Sequence, residues 1–194
     1  MKNLSIVLPL FLCFLTFVAF AEDPVVQIVD EERYYYPTFA TSYLIGTKKA
    51  LNIAEILRGE FQQKFELVKG DYPAFGLETS DIWLKFNVQN HLDDSPYLEV
   101  INPSLDTVEY FLINKHGELV HHHLSGSFQS IKDRAMPSWQ FVQDMGLVND
   151  EVHTCYLRIN TETSAAMADI RIAHPKSILL PITAMRYGRD CILD

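Results

Sequence analysis

A few groups of residues in this chain are of types that do chemistry. His121-His122-His123, with His116 five positions before His121, is the strongest metal lure. On a strand, His121 and His123 would share a face, and two imidazoles so placed can hold zinc or nickel. The spacing supplies no cysteine or acid as a third ligand. We therefore read a polar edge strand beside a hairpin, with no metal and no cofactor. Trp83 and Trp139 both fall in strand-like runs. A tryptophan face can stack on a sugar ring, although core packing is the commoner role of a strand tryptophan. Arg158 lies on the opposite side from Leu157 and Ile159 and could meet an acidic ligand group. A salt bridge to Asp106 or Glu99 is the competing expectation, because a strand-embedded arginine needs a partner. Trp83, Trp139 and Arg158 are the candidate ligand-binding residues. Tyr34-Tyr35-Tyr36 could form a sugar-stacking platform, but we read it as an aromatic edge partly buried against the fold.

Catalysis finds no constellation. Glu78 and Asp81 are close in sequence, but acids flanking a strand are ordinarily solvated. The chain contains no GxSxG, HExxH or phosphate-binding loop. Without a positioned nucleophile and base, or a paired set of carboxylates, we expect no enzyme and no catalytic residue. The formal net charge of -9, without a basic run, argues against nucleic acid or an anionic lipid surface as partner.

The 194 residues suit one domain with a sizeable core. Residues 1–21 read as a signal peptide: Lys2, an apolar run from Leu4 to Phe20, and Ala19-Phe20-Ala21 as the small-x-small exit, with cleavage before Glu22. Cys13 would leave with it. Cys155 and Cys191 remain, and whether they pair is left open; Cys155 also suits a small core residue in an alternating strand.

The elements that must position these residues are mostly strands. Ile82, Leu84, Phe86 and Val88 alternate with Trp83, Lys85, Asn87 and Gln89, the period of a strand with one face in a core. Asn90 to Pro96 is rich in turn formers, and Tyr97 to Ile101 is the next strand. Further strands are expected over Val25 to Val29, Phe39 to Ile45, Thr107 to Ile113, Glu118 to Leu124, Ser138 to Val142, Val152 to Asn160 and Ala168 to Ala173. Asn114 to Gly117 has hairpin-turn chemistry. Ser125-Gly126-Ser127 opens a loop through Arg134 that suits a ligand rim. One short helix, Ile53 to Arg58, is expected behind an Asn52 cap with Glu55 in capping-box position. Strands at this spacing with little helix predict an all-β sandwich.

The order of several segments resembles a known family. They are FGLETSDIWLKFNVQN at 75–90, EVINPSLD at 99–106, VEYFL at 108–112, Gly117, Gly126 and YLRI at 156–159. The chain resembles the second type of extracellular sensor domain of bacterial seven-transmembrane receptors with diverse intracellular signalling modules. That resemblance implies a periplasmic jelly-roll-like sandwich, similar to carbohydrate-binding modules, that takes carbohydrate or another small ligand. It also implies a continuation into seven membrane helices, which this sequence lacks. On that basis residues 22–174 are the expected sensor domain, and 175–194 a truncated juxtamembrane tail. The alternatives are a periplasmic protein-interaction module and a stand-alone secreted binder; a homodimer is left open.

Overall fold

The computed structural model describes residues 23–46, 50–130 and 138–178. The signal-peptide expectation for 1–21, Cys191, most of the tail and the end of the 125–134 loop lie outside those residues.

Two sheets face each other. The larger contains β1 (Val25–Ile28), β2 (Ser42–Ile45), β3 (Glu66–Leu67), β4 (Ile82–Asn90), β6 (Thr107–Ile113), β7 (Leu119–Ser125) and β9 (Val152–Asn160). Its path runs β3-β2-β4-β9-β6-β7, and β1 also pairs with β4. β4 is long enough to serve two partners along one flank. Residues 82–85 pair antiparallel with β2, and residues 87–90 pair parallel with β1. The smaller sheet has the order β10-β5-β8, from Ile170–Ala173, Tyr97–Val100 and Phe141–Asp144, all antiparallel.

Between the sheets lies the main core. The alternation expected of β4 delivers Ile82, Leu84, Phe86 and Val88 to it, and β9 adds Cys155, Leu157 and Ile159. β6 contributes Val108, Tyr110 and Leu112, and the small sheet answers with Leu98, Val100, Phe141, Ile170 and Ile172. Burying an aliphatic side chain of this size stabilises the fold by about 1.5–3 kcal/mol relative to exposure. Cys155 is a free thiol in this core, where burial pushes its ionisation well above the ordinary thiol range.

Part of the outer face of the large sheet is covered. Two short helices, α1 (Ile53–Ile56) and α2 (Gly59–Gln62), lie over it. With Leu51 and Ile56 they enclose Trp83, Phe111, Ile113 and Tyr156 in a second apolar cluster. The capping box forms as its residues predict: Asn52 Oδ1 accepts from the Glu55 amide at 2.9 Å, and Glu55 Oε2 accepts from the Asn52 amide at 3.0 Å. One helix was expected there, and two single turns are found. Arg58 is extended (ψ 142°), so Gly59 opens a second turn instead of closing the first.

Other boundaries also shift. Residues 37–40 form a 3-10 turn, so the strand expected from Phe39 begins at Ser42. Pro37 suits the start of such a turn, and the Thr41 hydroxyl donates back to its carbonyl at 2.8 Å. The strand expected from Ser138 begins at Phe141, leaving Trp139 ahead of it. The hairpin at Asn114 is as expected: Asn114 Oδ1 accepts from the amides of His116 and Glu118, and Gly117 takes φ +79°.

Candidate functional site

Arg158 of β9 sits in register between Trp83 of β4 and Glu109 of β6. Its Nη2 lies 2.5 Å from Glu109 Oε2, and its Nη1 lies 3.6 Å from Asp81 Oδ2. The other Glu109 oxygen is 2.8 Å from His122 Nε2. The guanidinium carbon stands 6.0 Å from the Trp83 ring centroid. Trp83 in turn stacks on Phe111 at 5.5 Å, and His122 on the same Phe111 at 4.8 Å. The cluster is therefore closed on itself. The arginine charge faces two carboxylates before any ligand arrives, and desolvation by neighbouring rings strengthens that pairing.

This corrects the expected partners of Arg158. Asp106 instead accepts from the Ser127 hydroxyl (3.1 Å) and the Glu162 amide (2.7 Å), tying the loops at one end of the sandwich. Glu99 pairs with Arg171 within the small sheet. Register decides which acid lies across from an arginine, and sequence spacing does not report register between distant strands.

The structure brings Trp83 and Arg158 together and keeps Trp139 apart from them. Trp83 is 0% exposed under the helices, so a sugar reaches its ring only by displacing them. Trp139 is 81% exposed at the entry to β8 in the other sheet. Two buried N–H groups of this cluster, Trp83 Nε1 and Arg158 Nε, have no hydrogen-bond partner among the described residues. Among the described residues no group of three potential metal ligands forms. In the histidine run, His122 turns outward to Glu109, while His121 packs its edge on Tyr110 at 5.8 Å. Burial first, then His121 and His122, lower the His123 pKa.

Among the described residues a concavity lies elsewhere, at the tyrosine run. A groove of about 350 Å³ opens between β1 and the 3-10 turn, lined by Gln27, Arg33, Tyr34, Tyr36 and Phe39 over the more buried Val26 and Tyr35. Tyr35 is structural: its hydroxyl accepts from the amides of Val29 (2.9 Å) and Asp30 (2.8 Å). Tyr36 and Phe39 are 52% and 69% exposed. Gln27 Oε1 is fixed by His91 Nε2 at 2.6 Å, and His91 Nδ1 by Asp150 at 2.6 Å. Arg33 lies over the Tyr35 ring at 5.4 Å and makes no ion pair among the described residues. Sequence reasoning saw the three tyrosines and assigned them to packing. Strand-like alternation explains the split, since Tyr35 faces inward and its neighbours do not. Phe39 and Gln27 carried no signal of their own.

A family model described as 7TMR-DISM extracellular 2 matches residues 39–185. The chain belongs to this family of extracellular sensor domains, whose members are non-catalytic modules of membrane receptors that continue into seven membrane helices. It is accordingly a sensor module of the extracytoplasmic kind, not an enzyme. A search of curated proteins gives no match. Among the described residues no helix is long and apolar enough to cross a membrane.

Proposed function

We propose that this sensor domain binds a neutral carbohydrate or a similar small, ring-bearing polar ligand on the periplasmic side, after removal of residues 1–21. The observation that carries this reading is the groove of exposed Tyr36 and Phe39 rings beside Gln27 and Arg33. Flat apolar faces with a few fixed polar groups are what a sugar ring needs: C–H faces on the aromatics and hydroxyls to amide and guanidinium. The volume is at the lower end for small-ligand sites, about 300–1,000 Å³. Acidic neighbours Asp30, Glu31 and Glu32 disfavour an anionic ligand. The two-sheet sandwich supports a jelly-roll-like, carbohydrate-module-like architecture. Trp139 offers a second stacking ring, and Arg158 over Trp83 a third contact reached if the helices over it part.

The test is calorimetry and thermal shift of the whole chain against soluble neutral oligosaccharides. One of them should bind and raise the melting temperature, because it binds the folded state alone. Tyr36→Ala and Phe39→Ala should each weaken it at least tenfold. If no saccharide binds at millimolar concentration, the carbohydrate reading falls.

A second reading, a protein-interaction module, is favoured by the exposed Leu77, Phe128 and Trp139. Their loops gather at the end where β4 begins and β9 ends, through bonds such as Ala166 N to Gly76 O and Ser127 N to Leu105 O. Self-association that Phe128→Ser or Trp139→Ser abolishes would support it.

A further inference from the structure

The groove shares Tyr34 and Tyr35 with the contacts that clamp the end of the described chain. Tyr34 lines the groove, and its hydroxyl donates to the Ser177 carbonyl at 2.9 Å. Tyr35 exchanges two backbone hydrogen bonds with Ile172, at 2.9 and 2.8 Å. The Glu31 carbonyl accepts from the Ser177 hydroxyl at 2.9 Å, and its carboxylate meets Lys176 Nζ at 2.6 Å. The Tyr34 ring carries the Arg171 guanidinium at 4.8 Å and packs against the cluster of Val142, Ala173 and Ile178. Residues 31–35 thus hold residues 171–178 by hydrogen bonds, an ion pair, a ring contact and apolar packing. In family members the chain beyond this point leads to the membrane helices.

We propose that this clamp is the readout of the groove. A saccharide lying on Tyr36 and Phe39 fixes the 31–39 segment, and fixing it tightens the grip of Tyr34 and Glu31 on residues 172–177. The inference rests on the ligand reading above and adds its output. The two sites are coupled because they share one segment, not because they are near. A ligand can shift the clamp only by its preference for the clamped state. By linkage, loosening the clamp must weaken the ligand by the same factor.

The test is amide hydrogen exchange on the whole chain, with and without the tightest-binding neutral oligosaccharide. Binding should slow exchange in residues 170–178 several-fold, beyond any slowing in β6 and β9. Tyr34→Phe, which removes only the hydroxyl bond to Ser177, should reduce that protection and weaken the saccharide by the factor lost. Lys176→Gln, outside the groove, should act in the same direction with smaller effect. Saccharide binding that leaves exchange at 170–178 unchanged would overturn the readout while the ligand reading stands. Binding by no saccharide would overturn both.

Discussion

Arg158 and Glu109 lie across adjacent strands with Nη2 and Oε2 2.5 Å apart, beside the buried Trp83. Both side chains are mostly shielded, so removing either one leaves the other with only its secondary partner, Asp81 for Arg158 and His122 for Glu109. Arg158→Met or Glu109→Leu alone should cost about 1–3 kcal/mol, the penalty of an unpaired buried polar group. The double substitution should cost less than the sum of the two, because it strands neither charge. Urea denaturation of the four proteins measures the coupling; additive effects would show that the pair is solvated.

Trp83 links the large sheet to the helices that roof it. Trp83→Ala should destabilise by about 3–5 kcal/mol, as large aromatic truncations in cores do. Trp83→Phe should keep the stack on Phe111 and lose less. If Trp83→Ala is nearly neutral in denaturation, the helices do not close over that face.

The Asn52 capping box holds the first of those helices. Asn52→Ala should lose about 1 kcal/mol and Asn52→Gly only a few tenths. Trp83 fluorescence should report the same change as a red shift, since the loosened roof admits water. No loss for Asn52→Ala would mean the side-chain oxygen is not what caps the helix.

Gly126 sits at φ +150°, and an added Cβ would lie 2.1 Å from the Asp106 carbonyl oxygen. Alanine there is strained by its backbone and blocked by main chain, so something must shift. The shift falls on Asp106, whose carboxylate links Ser127 and Glu162. Gly126→Ala should lose at least about 1–3 kcal/mol in thermal or urea unfolding. Gly70→Ala, at φ +109° with open space around it, tests the backbone strain alone and should lose less.

Two tyrosines should resist titration. Burial pushes the Tyr156 phenol up to about 12, and its hydroxyl donates to Gln62 Oε1 at 3.1 Å. Burial raises Tyr110, whose hydroxyl donates to the Met145 carbonyl, well above the ordinary range. For these acids a raised folded-state pKa means the unfolded chain loses its protons first. Their contribution is full below about pH 10 and falls as pH rises toward 12, by about 1.4 kcal/mol per pH unit for each proton withheld. Stability by urea should therefore drop between pH 9.5 and 11, with tyrosinate absorbance lagging until unfolding (about one pH unit beyond the ordinary phenol range). Tyr156→Phe should blunt that drop.

The strands were legible because alternation is a local signal. Ile82 to Gln89 divides into two faces just as its pattern predicts, and so does Val152 to Asn160. Alternation says which side a residue takes; it does not say whether the second side is wet. Trp83 falls on the face away from the main core as its alternation predicts, yet two single-turn helices between Ile53 and Gln62, with Leu51, make its part of that face a second core. The partner of Arg158 was illegible for a related reason, since it depends on β6 and β9 being adjacent and in register. The groove was half legible. Three tyrosines are conspicuous, but a groove exists only once Gln27 and Phe39 are brought to them by β1 and a 3-10 turn.

β1 runs parallel to β4 along Val25 to Ile28, while β10, in the smaller sheet, ends at Ala173 opposite Tyr97, just past the turn that follows Asn90 of β4. Tension applied between residues 23 and 178 would draw β1 backward along its own axis. Its rungs would then share the load and yield together instead of opening one by one. The sandwich is thus a mechanical fastener along that line, stiff to pulling in a way that an antiparallel terminal strand peeled from its edge would not be.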